Sequence, residues 1–105
     1  MSEDQFTTAP ETAEGEVVVT ATGEIDLASA AGFERELFAA LDRDPNVVVV
    51  DLAGVAFLDS SGVNALVQAA RRAGNDTKLV VRAPSEACRR VFEATRLDEI
   101  LEIRE

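Results

Sequence analysis

The chain has no histidine, one cysteine and one lysine, and no apolar run of 18 residues. Each absence removes a class of chemistry. Without histidine there is no imidazole for a hydrolase triad and no histidine-based zinc site. A single cysteine cannot form a disulfide within the chain. Cys88 falls among apolar residues in a helical pattern, where it reads as a small core residue. Lys78 stands at the start of an apolar run with no perturbing neighbour, so Schiff-base chemistry is not indicated. The six glycines occur singly, at 15, 23, 32, 54, 62 and 74, and form neither a dinucleotide fingerprint nor a phosphate-binding loop. The sequence therefore predicts a protein that is not an enzyme and uses no cofactor or metal. With no long apolar run, no membrane insertion is expected. The N-terminal residues lack the basic and apolar regions of a secretory signal, so a cytoplasmic location is expected.

Basic residues are also scarce, 10 against 20 acids, for a net charge of −10. A chain this acidic repels nucleic acid and anionic lipid, so no direct nucleic-acid contact is expected. The length, 105 residues, suits one small domain with a modest core.

What is present alternates. Residues 1–15 are polar and acidic and read as a flexible segment or, around Phe6 to Thr8, an edge strand; residues 16–105 read as the domain. Val17 to Thr22 is β-branched and predicts a strand ended by Gly23. From Leu27 to Asp42, Phe33, Leu37 and Leu41 recur at helical spacing, with Asp26 as the expected N-cap. Pro45 forces a turn. Val47 to Leu52 reads as a buried strand, broken by Gly54, with Val55 and Phe57 packing a loop onto the core. Asp59-Ser-Ser-Gly62 precedes Val63, Leu66, Val67 and Ala70, one face of a helix that Gly74 stops. Lys78 to Arg82 reads as a strand, Pro84-Ser85 opens a third helix, and Leu97 to Ile103 is a short apolar tail. Alternating strands and helices predict an α/β domain with a mixed, mostly parallel β-sheet and helices packed mainly on one face.

Asp59, Ser60 and Ser61 are ordinary helix-capping residues, yet a glycine inside the first turn costs about 0.5–1 kcal/mol relative to alanine. Close approach of another molecule is one reason to keep Gly62. The residues alone do not choose which serine is presented. Glu24, Asp26, Asp51 and Asp59 are carboxylates of the kind used in acid–base work, but caps, turns and a solvated rim account for them.

Gly23-Glu-Ile-Asp26 after a strand, Val-Val-Val-Asp51-Leu before a loop and Phe57-Leu-Asp-Ser-Ser-Gly62 before a helix together resemble the STAS domain, in particular bacterial anti-sigma factor antagonists. The resemblance spans about Val17 to Ile103. It implies a protein that binds an anti-sigma factor, itself an ATP-dependent serine kinase, and so releases a sigma factor. It further implies that the kinase phosphorylates Ser60 to end binding and that a serine phosphatase resets the protein. Asp59, Ser61 and Gly62 then surround the phosphorylated position, and Gly23 and Asp26 match the other loop at that edge. Asn64 departs from the second glycine of many relatives and is a candidate for narrowing partner choice. STAS-like domains also serve as accessory parts of membrane transporters, the alternative implied by the same resemblance. Arg71 and Arg72 lie more than ten residues along the helix, about 15 Å at 1.5 Å per residue, so a phosphate on Ser60 is expected to stand without a cation.

Overall fold

The computed structural model describes residues 5–105. The chain runs β1 (Phe6–Thr8), β2 (Glu16–Ile25), α1 (Ala30–Leu41), β3 (Val47–Leu58), α2 (Ser60–Ala73), β4 (Lys78–Arg82), α3 (Glu86–Thr95), a 3-10 turn (Leu97–Glu99) and β5 (Glu102–Arg104). The strands stand in chain order, with β1 antiparallel to β2 and every other neighbour parallel. Crossovers that always advance the same way, with the usual right hand, bring their helices to one face. Register shows which face. Val17, Val48 and Leu79 stand side by side, as do Val19, Val50 and Val81. These alternate residues share one buried cluster with Phe33 and Leu37 of α1, Leu66 of α2 and Phe92 of α3.

The intervening row, Val18, Val49 and Val80, faces the other way. Val49 and Val80 are buried without joining the cluster. Asp51 lies on that face and accepts from the Ala53 amide and from Arg82, both at 2.9 Å. Burial pushes its carboxyl up, but the Ala53 N–H and the Arg82 guanidinium together hold it below the usual range.

Three boundaries differ from the sequence expectation. Gly23 does not end β2, because it takes a positive φ of 79° within a bulged stretch that stays paired to Ile25. Gly54 does not break β3, which continues to Leu58. A Cβ at Gly54 would lie 3.1 Å from Thr22 Cγ2, so the glycine admits the neighbouring strand at the irregularity. Val55 is buried as expected, but Phe57 is 44% exposed, since it lies on strand and not in a loop folded onto the core. Finally, α1 begins at Ala30 rather than Leu27. Its N-cap position is Ser29, which makes no side-chain capping bond.

Two contacts tie α1 into place. The Phe33 ring stacks on Phe6 of β1 at 5.2 Å. At the far end, Arg72 of α2 holds Asp42 through both carboxylate oxygens at 2.8–3.0 Å and lies 4.5 Å over the Phe38 ring. No helix among the described residues is long and apolar enough to cross a membrane.

Candidate functional site

β2 and β3 end together. Ile25 pairs with Leu58, both are fully buried, and an aspartate follows each. The Asp59 amide donates to the Ile25 carbonyl at 3.0 Å, which fixes the two following loops side by side at one end of the sheet.

Asp26 closes the first loop. Its Oδ1 accepts from the amides of Ala28 at 3.0 Å and Ser29 at 3.2 Å, and from the Ser29 hydroxyl at 3.2 Å. The aspartate thus builds a turn ahead of α1 instead of capping the helix itself. That turn presents Leu27, which is 82% exposed.

Asp59 caps α2. Its Oδ1 accepts from the Ser61 amide at 2.8 Å and the Gly62 amide at 3.4 Å. Two of the amides that a helix start leaves unpartnered are thereby satisfied by one carboxylate. The consequence for the serines is direct: neither hydroxyl is needed as a cap. Ser60 is exposed and Ser61 half-buried.

Gly62 is buried, and the space it leaves open is internal. A Cβ there would sit 2.7 Å from Leu58 Cγ and 2.9 Å from Ile25 Cγ2. The expectation that Gly62 admits an approaching molecule is therefore corrected: it lets the first turn of α2 settle onto the ends of β2 and β3. Gly23 and Asn64 are exposed. Asn64 lies one turn into α2 and accepts from Gln68 at 3.4 Å. Gly23, Asp26, Asp59, Ser60, Ser61 and Asn64 thus gather at one end of the molecule, with Gly62 beneath. Asp51 is not among them.

A groove between α1 and α2 runs into this end. Leu27, Ala30, Ala31, Ser61, Asn64 and Ala65 line it. Glu34 and Arg35 also line it, and sequence reasoning missed both. It considered only the arginines on α2, whereas Arg35 lies on the neighbouring helix, five residues after its first residue Ala30. The signal was available in the crossover rule, since helices that return from the same sheet end begin together. Arg71 and Arg72 stand at the other end of α2, with Arg72 committed to Asp42. Among the described residues, no group of acidic, histidine or cysteine side chains is placed to hold a metal.

A STAS domain family model matches residues 7–105. The anti-sigma-F factor antagonist RsfB of Mycobacterium tuberculosis is 33% identical over 85 residues, 81% of this chain and 70% of the relative. The crystal structure of an anti-sigma factor antagonist from Mycobacterium paratuberculosis superposes with a TM-score of 0.84 at 33% identity, covering 98% of this chain and 88% of that one. The anti-sigma factor antagonist SpoIIAA in its unphosphorylated form shares the fold, with a TM-score of 0.78 at 21% identity over 93% of this chain and 86% of its own. A matching family model over nearly all of the chain, a one-third identical relative and a shared fold agree: this chain belongs to the STAS domain family.

Proposed function

We propose that the protein is an anti-sigma factor antagonist. Its unphosphorylated form binds an anti-sigma factor that is also a serine kinase and so frees a sigma factor. Phosphorylation of Ser60 ends the binding, and a serine phosphatase restores it. The protein performs no catalysis of its own, needs no cofactor and works in the cytoplasm by protein–protein contact. The observation that carries this reading is the division of labour at the start of α2. Asp59 satisfies the open amides, which leaves the exposed Ser60 hydroxyl available to a kinase.

Electrostatics supply the switch. A phosphoserine carries about −1.5 to −2 charges at pH 7. The helix start offers about +0.5. Arg35 adds one positive charge nearby, but Glu34 and Asp59 bring two negative ones. The fixed charge at this end stays negative, and a new dianion is left poorly compensated. Burying such a charge in an interface costs several kcal/mol, and about 2.8 kcal/mol already lowers affinity a hundredfold.

The test pairs chemistry with binding. The purified protein is incubated with ATP and its anti-sigma factor, and the modified residue is read by mass spectrometry. Calorimetry then compares Ser60→Ala, expected to bind as wild type, with Ser60→Asp and the phosphoprotein, both expected to bind more weakly. Modification at Ser61 alone, or a phosphoprotein that binds as tightly as before, sinks the proposal.

A further inference from the structure

We draw no further inference here: the strongest candidate, the face of the β-sheet turned away from the helix-packed cluster, where the row of Val18, Val49 and Val80 lies beside the Asp51–Arg82 and Lys78–Glu102 ion pairs, carries nothing because nothing in the structure shows what covers it.

Discussion

Ile25 and Leu58 pair at the ends of β2 and β3, and a Cβ on Gly62 would collide with both of them. The proposed switch therefore stands directly on the core. α2 can begin where it does only because its third residue has no side chain. The strand pair, the helix start and the exposed Ser60 form one packed unit, and the position of the hydroxyl is set by close contact rather than by loop conformation.

Gly62→Ala is expected to destabilise the fold. Alanine gains about 1 kcal/mol of helix propensity over glycine, but its methyl would lie under 3.0 Å from two fully buried side chains. Overpacking of this kind costs about 1–3 kcal/mol, and neither Leu58 nor Ile25 has solvent to move into. A lower urea midpoint with unchanged slope is the expected result. A midpoint equal to or above wild type would show that the site relaxes freely.

Asp59→Ala removes the one side chain that satisfies the Ser61 and Gly62 amides. The expected loss is about 1 kcal/mol, the usual value of an N-cap. Asp59→Asn keeps the acceptor oxygen and is expected to recover most of it. Hydrogen exchange should localise the Asp59→Ala defect to the first turn of α2. A defect spread evenly through the domain would contradict the capping role.

Asp51 makes stability depend on acid. Its carboxyl is held below the ordinary value of 3.8 by the Ala53 amide and Arg82, against the opposing effect of burial. A carboxyl depressed in the folded state contributes its full stabilisation above the unfolded value. That contribution is lost as pH falls below 3.8 through the folded value. Thermal melts of Asp51→Asn are therefore expected to be less pH-sensitive than wild type in the acid range, with lower stability at neutral pH. Equal acid slopes would show that the Asp51–Arg82 pair carries no linkage.

The helical and strand periods were legible because they are local. Phe33, Leu37 and Leu41 fall on one helix face whatever α1 packs against, and Lys78–Arg82 is apolar enough to be a strand in any α/β arrangement. The glycines misled for the opposite reason. Gly23 and Gly54 look like strand ends, yet the strands continue through them because Gly23 supplies a positive φ and Gly54 admits Thr22 closely, at irregular pairings that exist only once β2 meets β3. Gly62 looked like clearance for a visitor, and the space is taken by Leu58 and Ile25.

By itself, then, the order of residues determined the α/β class, a helix starting at Ser60 or Ser61 and the family motif around it. These follow from periodicity, turn chemistry and short-range capping, which act over a few neighbours. Only the tertiary structure decided that Asp59 caps and Ser60 does not, that Gly62 faces inward, and that Arg35 and Leu27 share a groove with Ser61. Those facts depend on which strand ends lie together and which helices run side by side, and neither the pairing of residues 25 and 58 nor the groove shared by 35 and 61 leaves a trace in local sequence.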